Sequence, residues 1–176
     1  MKAGEINLHK FLEGQKQFIV PIYQRTYSWN ENHCQKLWED IERLLNGQYQ
    51  SHFLGSIVYI NSDIYQISTI TKLHVIDGQQ RLTTISLLLQ ALREAIKNNS
   101  DQVKGINSRK IKNYYLLNQD EEDELRYKLV LNRNDNDTYV NILENNEIQN
   151  DYSPNIIKNY YFFKNKITEY APENLE

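Results

Sequence analysis

Residues 77–81 read Asp77-Gly78-Gln79-Gln80-Arg81, with Val75-Ile76 before them and Leu82-Thr83-Thr84-Ile85 after. An apolar strand would enter a sharp turn there and leave as an amphipathic helix. Gly78 reaches positive φ without steric penalty. The first helical N–H groups have no intrahelical acceptor and carry the positive end of the helix dipole. Such a turn suits an anion, above all a nucleotide phosphate. In this reading Gly78, Gln79, Thr83 and Thr84 line the phosphates. Arg81 adds a charge-assisted contact. Asp77 either holds a Mg²⁺ that bridges phosphates or orients a water, and Asp77, Gln80 and Arg81 form the catalytic set. The ordinary alternative makes Asp77 a helix cap, the two glutamines solvated surface and Arg81 an ion-pair partner.

A second cluster is Val20-Pro21-Ile22-Tyr23-Gln24-Arg25-Thr26-Tyr27-Ser28-Trp29. Three aromatic rings with an arginine suit base stacking and phosphate contact, and they equally suit an aromatic edge packed on the core. Other groups are weaker. His33 and Cys34 are helical neighbours that point different ways, which argues against a catalytic pair. His9, His52 and His74 lack metal-ligand spacing. The run 132–137 has Asp137 where a calcium loop needs glycine and Leu143 where it needs a bidentate glutamate. Asp120 to Glu124 reads as a solvated acidic loop.

The elements that must position these residues follow from the periodicity. Phe18 to Tyr23 predicts a short strand with Pro21 at an edge. Asn30 caps a helix that runs through Leu37, Trp38, Ile41, Leu44 and Leu45 to a stop at Asn46-Gly47. His52 to Ile60 predicts a second strand, and Ile64 to Lys72 a hairpin arm or irregular edge. Leu73 to Ile76 predicts a central strand. After Arg81, one helical face carries Leu82, Ile85, Leu88, Leu89, Leu92 and Ile96, and the polar face carries Gln90, Arg93, Glu94 and Lys97. Ser108 to Leu117 predicts a helix, Leu125 to Leu131 a strand and Asp135 to Leu143 a short helix. Ser153-Pro154 predicts the N-cap of a last helix.

The expected fold class is α/β (α+β), a small mixed sheet with flanking helices. A nucleotide-binding core over 1–100 would carry a mostly helical extension over 101–176. With 176 residues the chain is long enough to bury a core unaided. Hydrophobic residues at 40% and charged residues at 24% fit a globular domain rather than a disordered one. A net charge of −3 supplies no global field for nucleic acid, although a local basic groove stays open. The single cysteine, Cys34, leaves no internal disulfide. No signal-like N-terminus and no apolar run of membrane-spanning length stand out, so a cytoplasmic location is expected. The last residues, Leu175-Glu176, leave open a longer parent protein.

Three blocks, Phe18-x-Val20-Pro21-x-Tyr23-Gln24-Arg25-x-Tyr27-x-Trp29, His52-Phe53-Leu54-Gly55-Ser56-Ile57 and Val75-Ile76-Asp77-Gly78-Gln79-Gln80-Arg81-Leu82-Thr83-Thr84, resemble the N-terminal domain of GmrSD-type restriction endonucleases. Ile157-x-x-Tyr160-x-Phe162-Phe163 also suits that family. The resemblance implies a ParB/sulfiredoxin-like core whose Asp-Gly-Gln-Gln-Arg motif binds and hydrolyses an NTP with Mg²⁺. It also implies a place in bacterial phage-defence systems that act on modified DNA. By the same resemblance Tyr23, Gln24 and Arg25 become the facing wall of the nucleotide pocket. Full-length members often carry a His-containing nuclease domain. The last histidine here is His74, so these residues are expected not to cut DNA themselves and to work with a nuclease domain, C-terminal or on a separate chain.

Three functional classes follow. The domain is an NTPase that gates a nuclease, or a binding module switched by nucleotide or sensing modified DNA without chemistry. A third reading has it dock a partner through the tyrosine-rich stretch of residues 100 to 170. The base of the nucleotide, the DNA modification and any homo-oligomer are not legible in the sequence.

Overall fold

The computed structural model of the chain describes residues 3–61, 70–98, 105–148 and 153–170. The elements are α1 (Leu8–Leu12), β1 (Lys16–Ile19), α2 (Glu31–Leu45), β2 (Val58–Asn61), β3 (Thr71–Asp77), α3 (Gln79–Asn98), α4 (Ser108–Ile111), β4 (Leu129–Val130), α5 (Arg133–Glu144) and α6 (Pro154–Glu169). A π-helical turn, Lys112–Leu116, continues α4, and a 3₁₀ turn, Asp123–Arg126, precedes β4. The fold is α+β. A mixed sheet of order β2-β3-β1-β4 has parallel β3-β1 and β1-β4 pairs and an antiparallel β2-β3 pair.

β3 is internal because it is flanked on both edges, and it buries Leu73 and Val75. Three expected strands differ from their patterns by ending early, starting late or shrinking. β1 stops at Ile19, since Pro21 has no N–H to give the ladder and its carbonyl closes a turn with the Gln24 amide at 2.9 Å. The stretch 52–57 stays irregular before β2. Gly55 sits at φ +97°, and Arg81 takes the Ser56 carbonyl that a ladder would need. The strand expected over Leu125 to Leu131 shrinks to β4. The Gln17 side chain binds the Glu124 and Tyr127 carbonyls and Asn118 binds that of Leu125, which holds the approach to β4 in a tight turn. Most of the expected arm over Ile64 to Lys72 lies outside the described residues; its last two residues open β3.

α3 packs against α6, α4, the π-helical turn and β4, so it is buried on more than one face. Thr83, Thr84, Ser86, Leu87, Gln90 and Ala91 are inside, whereas Leu88, Leu89 and Leu92 are only half-buried. The single apolar face expected from the sequence is therefore too narrow. Its polar face is also not all solvent: Gln90 and Arg93 donate to the carbonyls of Ile142 and Leu143 at 3.0 and 3.1 Å. They close the C-terminal end of α5, where Asn145 adopts the left-handed conformation. Ser153 is the N-cap residue of α6 and Pro154 opens the helix, as expected, but the Ser153 hydroxyl makes no cap bond and donates to Asp135 of α5 instead. Residues 132–137, which lack the calcium-loop pattern, are the N-cap and start of α5, where the Asn132 side chain accepts from the Asp135 amide.

Candidate anion site at the start of α3

β3 ends at Asp77 and α3 begins at Gln79, so Gly78 makes the whole turn. Its φ is +94°, and a Cβ there would lie 3.0 Å from both the Ser56 carbonyl oxygen and Ile57. Backbone conformation and close approach both demand glycine. The first intrahelical bond runs from the Leu82 amide to the Gly78 carbonyl at 3.0 Å. No acidic residue occupies the first turn. Among the described residues no side chain caps the amides of Gln79, Gln80 or Arg81. Asp77 does not cap the helix. Its carboxylate is 70% exposed and lies 3.5 Å from Arg81 Nη2.

The two glutamines are buried. Gln80 Oε1 accepts from the amides of Ser28 and Trp29 at 2.8 and 3.2 Å, and Nε2 donates to the Thr26 carbonyl at 3.2 Å. One side chain thus satisfies three backbone groups of the segment 26–29, as a strand would. Gln79 Nε2 donates to the Arg25 carbonyl at 3.3 Å, and its buried Oε1 has no protein partner among the described residues. Gln24 completes the attachment by donating to the Ile76 carbonyl at 2.9 Å. Segment 24–29 is therefore fastened along the turn by amide side chains from both sides.

Thr83 and Thr84 turn back into the helix, their hydroxyls donating to the Gln79 and Gln80 carbonyls at 2.9 and 2.8 Å. Neither hydroxyl points to an outside ligand. Deeper in, Tyr27 is tied to three other elements. Its backbone amide donates to Asp135 at 2.6 Å, and its ring oxygen contacts Thr84 and Asn159. Burial, with Cys34 alongside, pushes the Tyr27 phenol well above its ordinary pKa. Burial likewise pushes the Cys34 thiol up to about 12, so it is protonated and inert near neutrality. His33 is occupied elsewhere, stacked on Trp29 and bonded to Asn30.

Arg81 reaches across to the preceding loop. Its Nη2 donates to the Ser56 carbonyl at 2.6 Å. Its guanidinium lies where a Cβ on Gly55 would fall, 2.6 Å from Nη1. Gly55 is thus a seat for Arg81. Arg25 is exposed and has no ion-pair partner among the described residues. Tyr23 is 75% exposed.

Of the residues expected at the site, Asp77, Gly78, Arg81, Tyr23, Gln24, Arg25, Gln79 and Gln80 come together around one turn. Asp77, Tyr23 and Arg25 face solvent, and the glutamines and threonines point inward. Reasoning from sequence missed Asn159 and Asp135. Asn159 is a fully buried asparagine between Ile156 and Phe163 on α6, and a polar residue on that apolar spacing is the signal that could have found it. No group of three or more candidate metal ligands occurs among the described residues. A cleft of about 1030 Å³ lies elsewhere, beside α5, lined by Asp123, Glu124, Asp137 and Glu147 with Arg126 as its one cation. Its acidic lining would repel a phosphate.

The model of the GmrSD restriction endonuclease N-terminal domain matches residues 8–176. The chain belongs to this family. The match begins at α1 and takes in both the Asp77–Arg81 turn and the helices beyond residue 100, so α5 and α6 are within it. The domain is thus a restriction-system module. A comparison with curated proteins found no match. No helix among the described residues is long and apolar enough to cross a membrane.

Proposed function

We propose that this GmrSD N-terminal domain binds an NTP at the Asp77–Arg81 turn and hydrolyses it to control restriction of modified DNA. One observation carries the reading. A twenty-residue helix opens without an acid in its first turn and, among the described residues, without a capping side chain, yet has Arg81 and exposed Asp77 beside it. Free amides, a helix dipole and a guanidinium form an anion site. Arg25, exposed on the neighbouring segment whose carbonyl binds Gln79, would supply a second cation for phosphate. This division of labour is also what a ParB/sulfiredoxin-like nucleotidase core would need.

Mg²⁺ fits this setting. It is commonly held by one or two carboxylates plus substrate phosphates rather than by a protein cage, and Asp77 is one exposed carboxylate. When bound it would neutralise phosphate charge. Arg81 would offset charge developing on the transferred phosphoryl group, and Asp77 would either hold the ion or orient the attacking water. Gln80 supports this set by position: it fixes the backbone of 26–29, with its whole amide engaged.

The second reading is a binding switch without turnover, in which nucleotide or modified DNA changes the affinity for a nuclease domain. It is favoured by the same inward turn of Gln80, Thr83 and Thr84, which leaves exposed Asp77, and Arg81 seated on the Ser56 carbonyl, as the polar side chains of the motif beside a ligand. Phosphate release from ATP, GTP, CTP and UTP with Mg²⁺ separates the two. Turnover that disappears in Asp77→Asn and Arg81→Ala supports the hydrolase. Saturable binding with no released phosphate selects the switch.

A further inference from the structure

The anion site is bordered by exposed apolar side chains on well-anchored backbone. Phe53 is 79% exposed, Tyr23 75% and Ile22 91%. The loop that carries Phe53 is held on both sides. His52 Nε2 lies 3.4 Å from Asp40 on α2. Leu54 and Ile57 pack on the core, and Arg81 clasps Gly55 and Ser56. Phe53 is thus thrust into solvent by a fixed loop. The loop that carries Tyr23 is also anchored: Gln24 binds the Ile76 carbonyl and Gln79 binds that of Arg25.

Phe53 is two residues from Gly55, and Tyr23 two residues from Arg25. Two residues span at most about 7 Å of backbone, so the backbone of both Phe53 and Tyr23 lies within a nucleotide's length of the Asp77–Arg81 turn. A nucleotide with its phosphates on that turn has to lodge its base nearby. Exposed rings already fixed by their backbone make an inexpensive platform for a flat π-face.

From this arrangement we infer that Phe53 is a base-stacking residue, and that the rim of Phe53 and Tyr23 receives the nucleobase of the NTP. The inference rests on the nucleotide reading above and adds a base subsite to it. The contact is to the π-face, so it recognises a nucleobase as a class.

The test titrates ATP, GTP, CTP, UTP and inorganic tripolyphosphate, each with Mg²⁺, into the wild-type chain, Phe53→Ala and Phe53→Trp. Phe53 is exposed, so both variants keep the core intact. Phe53→Ala should weaken the best-bound NTP about tenfold and leave tripolyphosphate unchanged. Phe53→Trp should restore affinity, with its fluorescence quenched by the NTP. Equal NTP affinity in wild type and Phe53→Ala, with tripolyphosphate still bound, overturns the base subsite and leaves the phosphate reading standing. Unchanged NTP affinity together with loss of a self-associated species in Phe53→Ala assigns the ring to a contact between copies and also overturns it. No binding of any NTP or of tripolyphosphate overturns both readings.

Discussion

The Tyr27 hydroxyl donates to the Thr84 hydroxyl at 2.6 Å, and the direction of that bond is fixed by its neighbours. Thr84 must donate to the Gln80 carbonyl, which only accepts, so it receives from Tyr27. Tyr27 in turn accepts from Asn159 Nδ2 at 2.8 Å. A one-way chain therefore runs from α6 through segment 24–29 to the first turn of α3. Tyr27→Phe breaks it in the middle and leaves a buried amide donor short of an acceptor. Such a deletion should lower unfolding stability by roughly 1–3 kcal/mol, read by urea denaturation. An unchanged midpoint would show that the chain carries no stability.

Gln80 commits its whole side-chain amide to backbone groups of segment 26–29. Gln80→Ala removes acceptors for the Ser28 and Trp29 amides and a donor for the Thr26 carbonyl. Those two amides should then exchange with solvent much faster than in wild type, while the amides in the middle of α3 keep their protection. A directly catalytic Gln80 would leave the exchange pattern unaltered and abolish turnover alone.

These contacts define what was readable from sequence. Asp77-Gly78 as turn, Gln79 as helix start, Asn30 with Glu31 opening α2, and the Asn46-Gly47 stop all follow from local rules. The burial of Gln79 and Gln80 does not, because their partners are carbonyls and amides more than fifty residues away. Periodicity placed α3 but not its surroundings: it expects one buried face, whereas α3 packs against several elements, so Gln90 and Arg93 serve α5. A glycine inside an expected strand, Gly55, marks either a bulge or a close backbone approach. That the approaching group is Arg81 emerges only when the loop and helix are brought together.

Cys34 is buried, with its thiol held in the neutral form. A disulfide reagent at pH 7.5 should label it slowly in the folded protein and rapidly in denaturant. Fast labelling of the native chain would show that the packing of α2 against Tyr27 is looser than described.

Lys128 is buried beside β4 and donates to the Gly14 carbonyl. Burial, then the neighbouring Lys16, pull its pKa down to about 8. The folded state therefore binds this proton less tightly than the unfolded state, whose lysine titrates near 10.5. Between those values the unfolded chain holds more protons, so stability rises with pH. Relative to Lys128→Met, the wild type should gain up to about 3 kcal/mol from pH 7 to 10.5. The comparison with the variant cancels the opposite trend from buried tyrosines, whose ionisation in the unfolded chain lowers stability above about pH 10. A flat difference across that range would mean that the ammonium is fully hydrated in the fold.

The central claim is that the Asp77–Arg81 turn holds nucleotide phosphates, and calorimetric titration of the wild-type chain and Arg25→Ala tests it most directly. Arg25 has no ion-pair partner among the described residues, so its removal should leave the fold intact. With Mg²⁺ present, at least one of ATP, GTP, CTP and UTP should bind the wild type saturably and bind Arg25→Ala several-fold more weakly at low salt. Binding of none of the four by the folded wild-type protein would contradict the claim and leave the turn as a structural junction between β3 and α3.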